Sequence, residues 1–194
     1  MTFKFTKYAL LTAALGFVAS SMTSCLSDGE STWDTYKDWR VTNNNWLDSL
    51  QNLKNADGTP YYTTIVPEWD PSSYIMMRKI DNNNPEAATN PFYPIFSSTV
   101  DVIYELYLCD DTQVDTSVGL TTWGTDIYRS TLNSSSLISG WSTAILNMCV
   151  GDSCEFILPY DVAYGESATG SILPYSNLRF NLRLVDIPYY ELQP

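Results

Sequence analysis

The residues between Leu137 and Leu184 are the part of the chain whose types and spacing indicate a particular chemistry. Along this stretch a Leu-Ile pair, a Gly-Trp, a short amphipathic segment, a Gly-Asp turn, an Ala-Tyr-Gly and a strictly alternating terminal strand follow one another. No other segment of the sequence indicates a particular chemistry.

The composition argues against several other chemistries. The chain has no histidine, which removes the commonest general base and metal ligand and excludes a Ser-His-Asp triad, although a Ser-Lys arrangement stays formally open. Asp110-Asp111 is an acidic pair, but no loop has the ligand spacing of an EF-hand. Paired carboxylates for glycoside cleavage cannot be located from the sequence. We therefore predict no metal and no cofactor.

The order of these residues resembles the C-terminal half of FKBP-type peptidyl-prolyl cis/trans isomerases. From Leu137 to Gly165 the match to that family needs no gap. Upstream, residues 102–117 (VIYELYLCDDTQVDTS) resemble a strand and loop that in the family read roughly V-x-Y-x-G-x-L-x-D-G-x-x-F-D-S-S. The resemblance covers about residues 74–188 and is more specific in its second half.

The resemblance implies a role for each matched residue. Tyr104 and Asp115 fall on the pocket tyrosine and aspartate, and Trp141 falls on the tryptophan of the pocket floor. Tyr164 matches the rim tyrosine, and Phe180 matches the last aromatic residue of the pocket. These five residues are the candidate catalytic residues. The candidate substrate-binding residues are Val114, Tyr128, Leu137, Ile138 and Ile172.

Prolyl isomerisation is the activity that the resemblance implies, and the residue types suit its chemistry. An X-Pro bond rotates over a barrier of roughly 20 kcal/mol because rotation breaks amide resonance. The twisted amide has less charge separation than the planar one, so an apolar cavity over Trp141 disfavours the ground state. Tyr164 would hydrogen-bond a substrate carbonyl. Asp115, held by Tyr104, would orient polar groups near the twisting bond.

Departures from the family pattern leave two rival functions open. Val114 stands where the family has phenylalanine, Leu106 replaces a glycine, Asp110-Asp111 replaces an Asp-Gly turn, and Pro174-Tyr175 replaces a Pro-Pro. Any one aromatic residue in a strand is more often core than site, so only the joint order and spacing favour a site. The rivals are a non-catalytic binding module with an altered pocket and a structural envelope lipoprotein whose own side chains close the pocket.

Two alternating segments and one amphipathic segment predict the elements that position these residues. Residues 98–108 alternate as a half-buried strand does, and so do residues 178–184. A single short helix lies between them, and its apolar face consists of Ile138, Trp141, Ile145 and Met148. We predict an α+β fold in which an FKBP-like antiparallel sheet wraps around one short helix, with an added N-terminal helical segment.

The first residues have the composition of a bacterial export signal. Lys4 and Lys7 form a positive region, residues 8–19 are apolar, and small residues end at Ser24. The apolar run is shorter than the ~20 residues of a transmembrane helix. A small residue directly before Cys25 resembles a relaxed lipobox, in which that cysteine is lipidated. The alternative is an ordinary cleaved signal with an incidental cysteine. We expect a lipoprotein of the cell envelope, anchored in the outer membrane, with its periplasmic or surface face left open.

The residues after this signal add a helical segment to the domain. Aromatic and apolar residues recur at helical spacing from Trp33 to Leu53, and the run Asn43-Asn44-Asn45 is expected to break or bend the helix. The segment could dimerise the protein or pack on the sheet of its own domain, and its spacing does not choose. The predicted organisation is a lipoprotein signal peptide at 1–24, a tether at 25–32, a helical and extended extension at 33–71 and an FKBP-like domain at 72–188.

The charge balance limits the partners. Removing Lys4 and Lys7 leaves 8 basic residues against 22 acidic ones, a formal charge of −14. This balance argues against nucleic acid, because phosphate binding needs a basic footprint. It also disfavours docking on anionic lipid, so an acyl chain must provide the anchor. The expected partners are proline-containing exported polypeptides, with membrane contact through the lipid anchor only and no nucleic acid.

Cys149 and Cys154 flank a four-residue segment, Val150 to Ser153, that reads as a turn between two strand-like pieces. If Val150 and Ser153 close this turn, the two cysteines form the next cross-strand pair, within reach of a disulfide. Export permits a disulfide, and two separate thiols are the equal alternative. Cys109 has no partner close to it in the sequence.

Overall fold

Within residues 31–85 and 87–189, the part of the chain that the computed structural model describes, seven strands form one antiparallel sheet. The strands are β1 (Thr63–Ile65), β2 (Ile75–Asn82), β3 (Thr99–Tyr107), β4 (Gln113–Thr116), β5 (Tyr128–Thr131), β6 (Asp152–Leu158) and β7 (Leu178–Asp186). Their order is β1-β2-β6-β7-β3, and both β4 and β5 pair with the remaining side of β3. This architecture confirms the predicted α+β fold class.

The two long strands, β3 and β7, deliver aromatic residues to one face of the sheet. They pair antiparallel, with Tyr104 opposite Leu182 and Leu106 opposite Phe180. Because successive side chains in a strand point to opposite faces, these four residues share a face, and all of them pack in the main hydrophobic core. The alternation seen in the sequence therefore predicts the side on which a site can form.

Helix α3 (Ser139–Leu146) packs on this same face. Residues 140–145 of the helix are all buried. A Cβ at Gly140 would lie 2.8 Å from the Leu158 Cδ2 atom and 2.9 Å from the Val162 Cγ2 atom, so the helix approaches the neighbouring chain closely only because this residue is glycine. Trp141, the next residue, is buried in the main core.

The N-terminal segment forms two helices, but the predicted break at the asparagine run is wrong. Helices α1 (Thr32–Thr35) and α2 (Lys37–Gln51) are separated at Tyr36, whose φ of −100° and ψ of 22° leave the helical region. The asparagine run lies inside α2. Its first member, Asn43, is buried, and its side-chain amide donates to the Trp39 carbonyl at 3.0 Å. The polar groups that would favour a turn are thus satisfied within the helix and its contacts.

Helix α2 packs on the opposite face of the sheet. Its Leu47 contacts a small second core that contains Tyr62, Met76 and Ile157. The neighbours of Met76 and Ile157 along β2 and β6 point the other way, into the main core. The sheet is therefore covered on both faces at this edge, and the N-terminal segment packs on its own domain.

The hairpin predicted around Cys149 and Cys154 is wrong, and both residues are free thiols. Cys149 lies in the turn that follows α3, where its N–H donates to the Asp152 Oδ2 atom at 2.9 Å and its carbonyl accepts from the Asp152 N–H at 3.0 Å. Only Cys154 is in a strand, opposite Lys79 and Leu182. Burial raises the pKa of Cys154 to about 12 and also raises that of Cys149, so both thiols stay protonated and unreactive. Cys109 is likewise a free thiol.

The predicted signal peptide, the lipidation site Cys25 and most of the predicted tether lie outside the described residues. None of the helices within residues 31–85 and 87–189 combines the length and the apolar character that crossing a membrane requires.

Candidate functional site

A cavity of about 110 Å³ opens on the α3 side of the sheet. It is bounded by the central strands, by α3 with the loop that precedes it, and by the loop that follows a short 3₁₀ turn at Tyr160–Val162. Eight of the ten predicted site residues line it: Tyr104, Asp115, Tyr128, Leu137, Ile138, Trp141, Tyr164 and Phe180. Leu106 and Ser136 complete the lining.

The floor and walls of the cavity are a connected set of aromatic rings. The Trp141 indole is 4% exposed, and the Tyr128 ring meets it edge-on, with 6.3 Å between the ring centroids. Tyr128 in turn contacts Tyr104 edge-on at 5.6 Å, and the centroid of Tyr104 lies 6.1 Å from that of Phe180. Edge-to-face pairs of this kind add stability beyond the area that they bury. The rings therefore form a rigid apolar surface rather than a loose cluster.

Tyr104 and Asp115 form the polar pair that the resemblance implies. The Tyr104 hydroxyl donates to the Asp115 Oδ2 atom at 2.7 Å, and the other carboxylate oxygen accepts from the Thr116 N–H at 2.8 Å. Burial raises the pKa of Tyr104, and the hydrogen bond to Asp115 adds to the rise. The phenol thus remains a neutral donor, which holds the carboxylate in one orientation at the edge of the cavity.

Tyr164 presents a second phenol to the cavity. Burial raises its pKa, and the nearby Asp115 carboxylate raises it further. No residue within the described part of the chain forms a hydrogen bond with the Tyr164 hydroxyl. The Tyr164 hydroxyl is therefore a protonated donor whose hydrogen-bonding capacity is available to a ligand.

Val114 and Ile172, two of the predicted substrate-binding residues, do not line the cavity. The Val114 side chain, which is shorter than the phenylalanine of the family pattern, is half-buried and packs against the main core. Ile172 is only 6% exposed and belongs to that core, because a tight turn points it inward: Ile172 and Thr169 each donate their N–H to the other's carbonyl at 2.9 Å. The predicted overhang above the pocket is therefore not made by Ile172.

Two lining residues, Leu106 and Ser136, were not predicted from the sequence, and only the first carries a local sequence signal. Leu106 lies on the core-facing side of the alternating strand β3. The alternation predicts that its side chain faces the core, but not that it contributes to the cavity wall. Ser136 lies in the polar loop before α3 and carries no local signal. No group of three His, Cys, Asp or Glu side chains within residues 31–85 and 87–189 is arranged to hold a metal ion.

Comparisons with known proteins agree with this geometry. Residues 96–185 match the family model for FKBP-type peptidyl-prolyl cis-trans isomerase. FK506-binding protein 2 of Kluyveromyces lactis is 40% identical over 57 residues, which is 29% of this chain and 41% of that protein. FK506-binding protein 2 of Yarrowia lipolytica is 38% identical over 90 residues, 46% of this chain and 60% of that protein. The chain thus spans less than two thirds of the length of these curated relatives.

A solved structure has the same fold. The crystal structure of a peptidyl-prolyl cis-trans isomerase from Pseudomonas syringae pv. tomato superposes with a TM-score of 0.58 at 22% identity, over 78% of this chain and 95% of that one. The sheet, the buried helix and the aromatic cavity define an FKBP-like domain. Over residues 96–185 this domain is similar in sequence to FKBP-type peptidyl-prolyl cis-trans isomerases.

Proposed function

We propose that the protein is a peptidyl-prolyl cis/trans isomerase, which binds the proline of its substrate in the cavity over Trp141. The observation that carries the proposal is a buried indole floor with aromatic walls and, at the rim, the available phenol donor of Tyr164. The match of residues 96–185 to the FKBP-type family model supports the same activity.

The apolar part of the cavity would lower the barrier by disfavouring the planar amide. A planar X-Pro amide has the greater charge separation, and rotation removes it at a cost of roughly 20 kcal/mol. A site walled by Tyr128, Trp141 and Phe180 solvates that charge separation poorly. The twisted amide loses less on entering such a site, so the transition state is bound more tightly than the ground state.

The polar groups would hold the substrate in the conformation that twists. The Tyr164 hydroxyl donates to a substrate carbonyl next to the proline. The Asp115 carboxylate, held by Tyr104 at 2.7 Å, faces the polar atoms around the rotating bond. No proton is transferred in this scheme. Because burial raises the pKa of both tyrosines, the two phenols stay protonated across neutral pH.

The cellular setting is part of the proposal. The signal-like residues 1–24 and the lipobox-like cysteine support an exported lipoprotein, anchored through Cys25 in the outer membrane of the cell envelope. Its clients would be proline-containing exported polypeptides, whose folding it assists. The test is mass spectrometry of the protein purified from membranes: a lipidated Cys25 at the mature N-terminus is expected, and an unmodified N-terminus at another residue contradicts the anchor.

The enzymatic test is isomerisation of a short peptide with an X-Pro-Phe or Leu-Pro sequence, by the mature chain with Cys25 replaced by serine. We expect acceleration of cis/trans exchange. Tyr164→Phe should lower kcat/KM by about tenfold, the size expected for one hydrogen bond that a buried site makes to its ligand. The matched control is Tyr107→Phe, because the Tyr107 hydroxyl bonds Glu105 and does not line the cavity.

A non-catalytic binding module is the second candidate, and two observations favour it. Leu106, which stands at a family glycine, contributes to the cavity wall, and Val114 leaves the wall without the family's phenylalanine. If the folded wild-type protein binds proline peptides through Tyr164 but accelerates nothing, the binding module is the correct function. Val114→Phe is then the first substitution expected to restore activity.

A further inference from the structure

Helix α2 contacts the chain that leads from the cavity rim into strand β7. The Asn177 N–H donates to the Asn43 Oδ1 atom at 2.8 Å, and the Asn177 side-chain amide donates to the Asn43 carbonyl at 2.9 Å. Both residues are at most 1% exposed. Buried polar groups are costly to leave unpaired. These two hydrogen bonds between Asn43 and Asn177 therefore fix the helix to the end of the loop.

A second set of contacts lies beside this pair. The Trp39 Nε1–H donates to the Ser176 hydroxyl at 2.9 Å, and that hydroxyl donates to the Leu173 carbonyl at 2.7 Å. The Trp33 ring meets the Tyr175 ring edge-on at 5.4 Å between centroids. The N-terminal helices thus contact three consecutive loop residues, 175–177, along their length.

Tyr175 shows that the loop needs this support. Its φ of 63° lies in the left-handed region, which a non-glycine residue occupies only at an energetic cost. The side chain is 2% exposed, between Trp33 and Tyr160, whose rings each lie 5.4 Å from it. Its N–H donates to the Gly165 carbonyl at 2.8 Å, which closes the loop onto the residue next to Tyr164.

The contacts continue from the helix to the cavity rim without a gap. The Asn177 Oδ1 atom accepts from the Tyr160 N–H at 2.9 Å, at the start of the 3₁₀ turn. The Tyr160 carbonyl then accepts from the Gly165 N–H at 2.8 Å. Tyr164 lies between these two fixed points, so its position in the cavity depends on Asn177, and the position of Asn177 depends on Asn43.

We propose that Asn43 is a positioning residue of the substrate site, through which the N-terminal helix holds the rim loop and the Tyr164 hydroxyl in place. This inference rests on the proposed isomerase function. The helix lies outside residues 96–185, the part that matches the family model. The floor at Trp141 is held by α3 and does not depend on the helix.

This arrangement makes a specific kinetic prediction. Tyr164 binds a carbonyl in both the ground state and the transition state, so loosening it weakens binding more than it slows rotation. We expect Asn43→Ala to raise KM by roughly tenfold, as the loss of buried hydrogen bonds does, and to leave kcat within about twofold. Asn44→Ala is the matched control, because Asn44 is the next residue of the same helix and is exposed.

A further control separates positioning from general loss of stability. Ile187→Ala removes a buried side chain just beyond the far end of β7 and should destabilise the fold without moving the rim. If Ile187→Ala raises KM as much as Asn43→Ala at a temperature where both are folded, the effect is not positioning, and the inference is wrong. An unchanged KM in Asn43→Ala, with an active wild-type protein, also overturns it.

Amide exchange tests the same inference without activity. The N–H groups of Gly165, Ile172 and Tyr175 are hydrogen-bonded within the loop. We expect Asn43→Ala to accelerate their exchange, and Asn44→Ala to leave it unchanged. If the wild-type protein is inactive, the proposed function fails, but this measurement still decides whether the helix orders the rim: unchanged exchange overturns the inference.

Discussion

Helices α3 and α2 cover opposite faces of one sheet and are held there by different kinds of contact. In α3, residues 140–145 are all buried, and the helix carries the tryptophan of the cavity floor. In α2, which is almost twice as long, the buried residues are Asn43 and Leu47. One helix is thus held by continuous buried apolar packing, and the other by a buried polar anchor, by Leu47 and by apolar side chains that are only partly buried.

The difference assigns separate roles to the two helices. Regions with few buried apolar contacts open locally at lower free energy than the core does. We therefore infer that α3 shares the stability of the whole domain, whereas α2 can detach while the sheet stays folded. The cavity floor then depends on global stability, and the rim depends on the local docking of α2.

Replacing the floor tryptophan should unfold the domain most readily. Trp141→Ala removes a large buried side chain and should lower the free energy of unfolding by about 3–5 kcal/mol. Trp33→Ala is the matched change in α1, at the start of the N-terminal helical segment that continues into α2, and loss of its half-exposed ring should cost less than about 1 kcal/mol. Urea titration followed by circular dichroism measures both. Similar losses in the two variants would remove the distinction between the helices.

The apolar contact of α2 should contribute less, and its loss should be local. Leu47→Ala truncates the residue that packs on Tyr62, Met76 and Ile157. We expect the free energy of unfolding to fall by about 2 kcal/mol, the lower end of the range for such truncations, because Leu47 lies near the protein surface and is only just buried. Hydrogen exchange should accelerate in α2 and not in α3. Exchange that rises equally in both helices would show that they unfold together. Leu53→Ala, at an exposed leucine, is the control.

A methyl group added beneath α3 should be destabilising although it favours the helix. A Cβ at Gly140 would lie within 3.0 Å of three atoms, one of them the Val162 carbonyl oxygen. Overpacking costs about 1–3 kcal/mol, and the gain in helix propensity offsets up to about 1 kcal/mol, so Gly140→Ala should lose about 1–2 kcal/mol. Thermal unfolding measures the change, with Ser49→Ala on the exposed side of α2 expected to be near neutral. A stabilised Gly140→Ala would mean that α3 has room to move.

The same two helices show what could be predicted from the sequence. The periodic apolar face of α3 and the alternation of β3 and β7 are local patterns, and each predicted its element. The cavity residues followed because the order from Leu137 to Gly165 matches a family without a gap. Asn43 was misread, because an asparagine run favours a turn locally. Its partner, Asn177, is 134 positions away, and no local pattern reports that distance.

The remaining errors have the same origin in contacts outside the local segment. Cys149 lies in a turn and not in the predicted strand-like piece, because its N–H donates to the Asp152 Oδ2 atom and holds the chain in that turn. Val114 and Ile172 were placed in the cavity by their position in the family pattern. That pattern fixes where a backbone runs. The size of the Val114 side chain and the inward turn at Ile172 decide which side chains reach the cavity.

The smallest expected effect compares the two faces through their tyrosines. Burial raises the pKa of Tyr104 on the cavity side, with its bond to Asp115 adding to the rise, and burial also raises that of Tyr62 under α2, with its bond to Glu155 adding. In the unfolded chain both phenols lose their protons near pH 10. Above that pH the folded state holds more protons than the unfolded state, so stability falls as pH rises.

Each tyrosine should therefore cost less than about 1 kcal/mol at pH 10.5 and nothing at pH 8. Tyr104→Phe should flatten the decline of the unfolding free energy between pH 9 and 11, measured by urea titration at each pH. If α2 detaches before the domain unfolds, Tyr62 will titrate within that local opening. Its substitution will then change exchange in α2 and leave the global alkaline slope as it was, whereas Tyr104→Phe will always change the global slope. A global slope that responds equally to both substitutions would show that α2 and the cavity form one cooperative unit.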